Sequence, residues 1–478
     1  MLDAVRRAVD VTMSAYPIGQ SHPFAVQGDY AGVGHGLIFT DVLDQLNHLT
    51  GDERYLDYAL WLYQEYSRQP LSQDDIQLAH LLDPEYRFKA HGVHTYEHLR
   101  SLLIAVYAAD DPRMDAALAA CLVKLEICLT PSGGPIGDEN IAGRQADASE
   151  TGYEYCSIHE LLDSYTHLLQ KTGGAPWADR AEWLFFNAAQ GARHPSESSQ
   201  CGIAYLKTDN SLSMTGPLHP GDVQDKQNPQ LRYKYSPVHQ DVAVCCVPNA
   251  GRILPYYVKS MWLRSAEGLV AALYGSCDLR TQVDGVDVHI AEVTDYPFDL
   301  GITFRFSVAQ PVEFTISLRK PAWASGFTLA GAESYAEQDG LIQVRKTWSS
   351  GDQLTLCFET DVKCHPWTND EGFISYGPLL FALPLAGEAR AGRGYGPGFQ
   401  DRHYDPVAPC PDLALPRNPI FSPERHLVEP SHPWDSLALR GELLDPSSGE
   451  AHPVRLIPLG GSILRRVTFP KSSTRELE

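Results

Sequence analysis

The sequence predicts a multidomain α+β protein: a helical first half built from αα-hairpins, then an antiparallel all-β second half. Three observations carry this reading. Apolar residues recur every three to four positions through the first 190 residues, alternation with a period of two takes over from about residue 264, and Gly, Asp or Pro separates the short apolar runs that follow. The expected divisions are 1–264 for a helical toroid-like domain, 265–365 for a β-sandwich, and 366–478 for a second β region closing the sandwich.

The helical elements come in pairs. GLIFTDVLDQLNHL (36–49) keeps a helical apolar stripe, Thr50-Gly51-Asp52 interrupts it, and RYLDYALWLYQEY (54–66) resumes it. VHTYEHLRSLLIAVYAAD (93–110) with MDAALAACLVKLEICL (114–129) repeats the pattern, as does YEYCSIHELLDSYTHLL (153–169) with WADRAEWLFFNAA (177–189). Repeated αα-hairpins of this length suit a ring of helix pairs, and an ordinary helical bundle fits the same periodicity. LVAALYG, VDVHIAEVTDY, ITFRFSVA, VEFTISL, LIQVRKTW and LTLCFE then read as strands, residues 366–430 as loops around GPLLFALPLAG, and VRLIPLGGSILRRVTF (454–469) as closing strands.

The chain carries 38 basic and 60 acidic side chains, a formal charge of −22. That balance excludes nucleic acid or an anionic membrane as the main partner, because no broad basic surface is available to phosphates, and it favours a small neutral saccharide or glycoside. No apolar run approaches the roughly 20 residues of a membrane span. MLDAVRRAVDVTM lacks the apolar block of a secretory leader, so a cytoplasmic protein is expected.

Ten cysteines are ordinary for 478 residues, but their placement is not. DVAVCCVPNAGR (241–252) sets Cys245 and Cys246 side by side, and ETGYEYCSIHE (150–160) sets Glu154 and Cys156 two apart at the start of a predicted helix. Adjacent cysteines are poorly disposed to bridge each other. They are either buried small hydrophobes or, with Glu154 and Cys156, a four-ligand metal set of three sulfurs and one oxygen. In a regular strand neighbouring side chains point to opposite faces, so joint ligation needs the strand to end there. Val247-Pro248-Asn249 supplies that break, with Pro248 set for the first turn of a following helix.

GGPIGDEN, TGYEYC and CCVPNAGR, in this order, resemble the glycoside hydrolase family 127 group, typified by non-reducing-end β-L-arabinofuranosidases. HGLIFTDVLDQLNHLTGDERYLDYA, WADRAEWLFFNAA and RKPAWASGF add to the resemblance, which runs from about residue 5 to residue 470. It implies an (α/α)6 barrel followed by β-sandwich modules, and a Zn2+ held by Glu154, Cys156, Cys245 and Cys246. It further implies Cys245 as nucleophile, Glu139 as general acid/base with Asp138 its rival, and substrate contacts from His35, His94, Tyr153 and His239. Asn249 and Arg252 would brace the loop after the cysteine pair.

Two features depart from the family pattern. Residues 1–13 match a helix that other members precede with further helices, so an N-terminally incomplete toroid is expected. Its exposed apolar faces would favour a homodimer. ETGYEYC also lacks the family's Asn-Asp-Thr-Ala pattern. The expected activity is retaining exo-hydrolysis of a β-L-arabinofuranoside or related sugar. The alternatives are a hydrolase of another deoxy or branched sugar, and a metal-containing carbohydrate-binding protein that has lost turnover.

Overall fold

The structure is a computed structural model describing residues 1–25, 31–137, 139–196, 201–202, 206–214, 235–236, 245–425 and 432–472. Two compact units emerge, one built on Met1–Leu129 and Pro135–Ala146, the other on Thr130–Gly134 and the described residues from Asp147 onward.

The first unit is helical. It comprises α1 (Leu2–Ala15), α2 (Ala31–Gly34), a 3-10 turn (His35–Ile38), α3 (Phe39–Thr50), α4 (Arg54–Tyr66), α5 (Leu78–Leu82), α6 (Gly92–Ala108) and α7 (Pro112–Glu126). The predicted break between α3 and α4 is a left-handed cap at Gly51, with φ 69° and an N–H donating to Asn47 O at 2.7 Å. A side chain there would meet the steric penalty that glycine avoids. Helix α6 is buried along its whole run from Gly92 to Ala105, so it is a core helix rather than an amphipathic surface one. Two of its polar side chains are matched by α3 residues: Arg100 Nε donates to Asp41 Oδ2 at 2.9 Å, and Ser101 Oγ lies 2.8 Å from Thr40 Oγ1. The chain returns after α7 to lie beside residues 88–92, where Gly92 N donates to Glu139 O, Ile141 N to Ala90 O and Gly143 N to Phe88 O at 2.8–2.9 Å.

The second unit holds α8 (Tyr155–Thr172), α9 (Ala175–Phe186), α10 (Ala188–Gly191) and α11 (Cys246–Lys259), followed by antiparallel sheets. One five-stranded sheet orders Ala336–Gln338, Leu341–Trp348, Val312–Arg319, Gly268–Ala271 and Trp262–Arg264, with a parallel pairing between the third and fourth. The other orders Gly326–Ala330, Gln353–Glu359, Gly301–Val308, Val286–Thr294 and Cys277–Val283. Their inner faces meet as a sandwich, with Phe306 stacked on Trp348 at 4.0 Å and Trp262 edge-on to Phe304 at 5.8 Å between ring centroids. A further sheet follows, with Val362–Pro366, Glu371–Tyr376, Leu379–Pro384, Ala451–Pro458, Leu437–Leu444 and Phe421–Arg425 along its path.

Helices and sheets of this unit are joined by polar anchors. Arg319, 1% exposed, donates to Asp179 and Glu182 of α9, and to Ala272 O at 2.6 Å. Asn187 donates to Pro378 O and accepts from Leu380 N.

The stretch 366–430 is richer in strand than its sequence indicates. Gly387–Gly396 and Phe399–Pro406 pair as a long hairpin. Nearly every residue of GEARAGRGYG is exposed, so no apolar alternation marks the strand. Among the described residues no helix is long and apolar enough to cross a membrane.

Candidate metal and catalytic site

Two helix N-termini converge in the second unit. The short strand Gly152–Tyr153, paired with Leu206–Lys207, delivers the chain in extended form to Glu154, the N-cap of α8 at φ −117°, ψ 129°, and Cys156 follows in the first turn. Cys245 is the N-cap of α11 and Cys246 its first residue. Pro248 falls in the first turn of this helix, as its sequence context indicates. Pro248 is tolerated in that first turn because the N–H it lacks has no intrahelical acceptor there. Because the helix has begun at Cys246, the two neighbouring thiols escape the opposite-face geometry of a strand.

Helices α8 and α11 run in the same direction from this point. Tyr256 packs edge-on to His159 at 4.7 Å, and Lys259 Nζ donates to Asp163 Oδ1 at 3.3 Å. One ligand atom from each of Glu154, Cys156, Cys245 and Cys246 lies within 4.8 Å of the others. Cys245 Sγ is 3.4 Å from Glu154 Oε1. Two ligands on a tetrahedral ion, with sulfur at about 2.3 Å and oxygen at about 2.0 Å, stand about 3.5 Å apart. Glu154, Cys156 and Cys246 are buried, whereas Cys245 is exposed.

The electrostatics favour a cation. Hydrogen bonds to Cys245 and then Cys246, together with burial, push the Cys156 thiol well above its ordinary pKa. The bond from Cys156 pulls Cys245 down, but the bond to Cys246 and burial outweigh it, and its pKa is raised too. Crowded against one another and a carboxylate, the Cys156 and Cys245 thiols hold their protons, and a divalent ion substitutes for such protons. The positive ends of two helix dipoles favour the ionised ligands rather than the cation itself. The donor set therefore fits a metal ion, with softness that suits a thiophilic one.

The remaining predicted residues are placed as follows. Tyr153 is 1% exposed, directly before Glu154. Arg252 is exposed on α11, its Nη1 donating to Asn249 Oδ1 at 3.1 Å. His239 and Asp138 lie outside the described residues.

In the first unit, Glu139 adopts the left-handed backbone region at φ 67°, uncommon for a side chain of its size. Its Oε2 lies 3.1 Å from His91 Nε2. His35 and His94 are brought together, with their Nε2 atoms 2.8 Å apart. His35 Nδ1 faces Glu97 Oε1 at 3.1 Å, and His98 Nε2 donates to Gly34 O at 3.0 Å. Burial, then the neighbouring His98, His35 and His91, drive the pKa of His94 down to about 2, so its ring is neutral at physiological pH. Sequence reasoning missed His91, Glu97 and His98. Their signal was available: His91, His94 and His98 recur at helical spacing and so share one face of α6.

Residues 268–360 match the family model for the middle domain of GH127 β-L-arabinofuranosidases, a segment running through the two five-stranded sheets. That segment carries the chain's sequence similarity to the GH127 family. The chain is also similar in fold to a GH127 β-L-arabinofuranosidase from Geobacillus stearothermophilus T6. The TM-score is 0.67 at 18% identity, over 98% of this chain and 76% of that one. A structure described as a glycoside hydrolase aligns with TM-score 0.71 at 18% identity, over 94% and 77% of the two chains. A GH127 β-arabinofuranosidase aligns with TM-score 0.67 at 16% identity, over 98% and 73%. No curated protein sequence matches the chain. The four-ligand cluster lies outside the segment that the family model covers.

Proposed function

We propose that this chain is a retaining exo-glycosidase acting on β-L-arabinofuranosides or a closely related neutral sugar. Cys245 is its nucleophile, Glu139 its acid/base, and Glu154, Cys156, Cys245 and Cys246 hold a Zn2+. In this reading the helices belong to an (α/α)6-type toroid. The observation that carries the proposal is the contrast within the cluster: Cys156 and Cys246 are 1% and 0% exposed, while Cys245 alone among the sulfurs is open to an incoming molecule. Two thiols act only as ligands, and the third is also presented to substrate.

The chemistry balances in two displacements. The Cys245 sulfur forms a bond to the anomeric carbon as the bond to the aglycone oxygen breaks, and the Glu139 carboxyl gives that oxygen its proton. The Glu139 carboxylate then takes a proton from water, the resulting hydroxide adds to the anomeric carbon, and the carbon–sulfur bond breaks. Two inversions return the original configuration. When bound, zinc keeps the Cys245 sulfur ionised near neutral pH and tempers its basicity so that it leaves again. His91, 3.1 Å from the Glu139 carboxylate, orients the acid/base. His35, His94, Tyr153 and His239 are assigned to the sugar.

The test is hydrolysis of p-nitrophenyl β-L-arabinofuranoside by zinc-loaded protein, within a panel of p-nitrophenyl glycosides, alongside Cys245→Ala and Glu139→Gln. Turnover with retained configuration that both variants abolish supports the assignment. Full turnover by Cys245→Ala sinks the cysteine mechanism, and saturable sugar binding without turnover on any glycoside would favour the binding-protein alternative.

A further inference from the structure

We infer that Gln73 is a positioning residue for the acid/base: through one hydrogen bond to the His91 amide it holds the His91 ring against the Glu139 carboxylate. The inference rests on the role proposed above for Glu139.

His91 pairs with Asn140 in an antiparallel bridge whose hydrogen bonds are made by its neighbours. Ile141 N donates to Ala90 O at 2.9 Å and Gly92 N to Glu139 O at 2.8 Å. In such a pair the residue's own N–H points away from the partner segment. His91 is also the N-cap of α6, so that N–H has no intrahelical acceptor. A capping box would meet it with a Glu or Gln side chain at the third helical position, but that position is His94. Gln73 supplies the acceptor from 18 residues away, its Oε1 taking the His91 N–H at 3.1 Å.

This bond belongs to a pattern. Asp75 accepts from Lys89 N at 2.9 Å and from Ala90 N at 3.0 Å, so two side chains take three consecutive amides of the segment that pairs with Glu139. Gln73 is itself fixed. Its carbonyl accepts from Tyr66 OH at 2.7 Å, and it packs on Gly34, where an added methyl group would lie 3.1 Å from Gln73 Cβ. Its side-chain amide makes no other hydrogen bond among the described residues. The His91 side chain makes no cap bond to its own helix, and its Nε2 faces Glu139 Oε2 at 3.1 Å. With Gln73 on one side and the Glu139 segment on the other, the backbone beneath the ring is held from both. Loss of the Gln73 bond frees one side, and a shift of about 1 Å near a reacting group costs up to about 100-fold in rate.

The experiment compares Gln73→Met, which keeps the length of the side chain and removes the acceptor, with Gln73→Glu, which restores an oxygen. Hydrogen exchange at single-amide resolution comes first and needs no turnover. In Gln73→Met the His91 amide should lose protection by up to roughly 10-fold, the worth of one net hydrogen bond, while Lys89 and Ala90 keep theirs. Gln73→Glu should exchange like the wild type. kcat/KM is then measured on the methyl and p-nitrophenyl glycosides of the sugar that the wild type hydrolyses. Methanol leaves only with a proton delivered to its oxygen, p-nitrophenolate leaves without one, and kcat/KM ends with departure of the aglycone. Gln73→Met should therefore lose roughly 10- to 100-fold on the methyl glycoside and far less on the p-nitrophenyl one, and Gln73→Glu should restore the ratio. A purely structural role lowers both alike. Equal losses on the two glycosides overturn the inference, as does unchanged protection of the His91 amide in Gln73→Met. A wild type that hydrolyses no glycoside sinks the acid/base reading, while exchange separately decides whether Gln73 holds His91, so the two failures are distinguishable.

Discussion

Glu292 offers a quantitative test of how burial governs this fold. It lies in the strand Val286–Thr294, 2% exposed, where Gly275 N donates to its Oε1 at 3.0 Å and the Cys277 thiol approaches Oε2 at 3.7 Å. Burial pushes its pKa from an ordinary 4.5 to about 8, against the smaller downward pull of those donors. The folded protein therefore holds this proton through a window in which the unfolded chain has released it. Stability from the buried neutral acid is fully present below the unfolded value and is lost as pH rises toward the folded one. The window spans about 3.5 pH units at about 1.4 kcal/mol each, a ceiling of about 5 kcal/mol. About 3 kcal/mol of that is already lost at pH 7. Glu292→Gln keeps an oxygen for Gly275 N–H and carries no charge at any pH. Urea denaturation of both proteins at pH 5 and pH 8 should give similar stabilities at the lower pH. At the higher pH the variant should be more stable by several kcal/mol. A stability gap that does not widen between the two pH values refutes the argument, as would a wild type that is the more stable protein at pH 8.

Other perturbations follow from the same geometry. Arg319→Met leaves the Asp179 and Glu182 carboxylates without their buried cation and should cost about 3–5 kcal/mol, read as a lowered urea midpoint. Asp75 accepts from Lys89 N, Ala90 N, Thr95 Oγ1 and Tyr86 OH, which pins the segment that Glu139 pairs with. Asp75→Asn should cost about 1–3 kcal/mol, with hydrogen-exchange protection of the Ala90 and Ile141 amides falling before that of α3. Cys156→Ser replaces a soft ligand by a hard one, so zinc affinity at the thiolate cluster should drop by at least roughly 10-fold, measured by competition with a chromophoric chelator.

Much of this architecture is written in local chemistry. RYLDYALWLYQEY predicts a helix over 54–66, and the helix spans Arg54–Tyr66, because the apolar period and the Gly51 cap are both local. LIQVRKTW likewise coincides with the strand Leu341–Trp348, whose alternation reflects one buried face. The hairpin Gly387–Gly396 with Phe399–Pro406 was illegible for the converse reason: a strand exposed on nearly all sides is held by its ladder, and ladders leave no trace in composition. The sequence alone determined that Glu154 and Cys156 would sit at a helix start and that Cys245 and Cys246 would meet a break in the chain. Only the tertiary structure decided that α8 and α11 run the same way from one point, so that residues about 90 positions apart share one cluster. It alone turned α6 inward, gathering His94, Glu97 and His98 against His35. Backbone conformation depends on near neighbours, whereas convergence of distant side chains depends on which faces pack, and packing is decided by the whole fold.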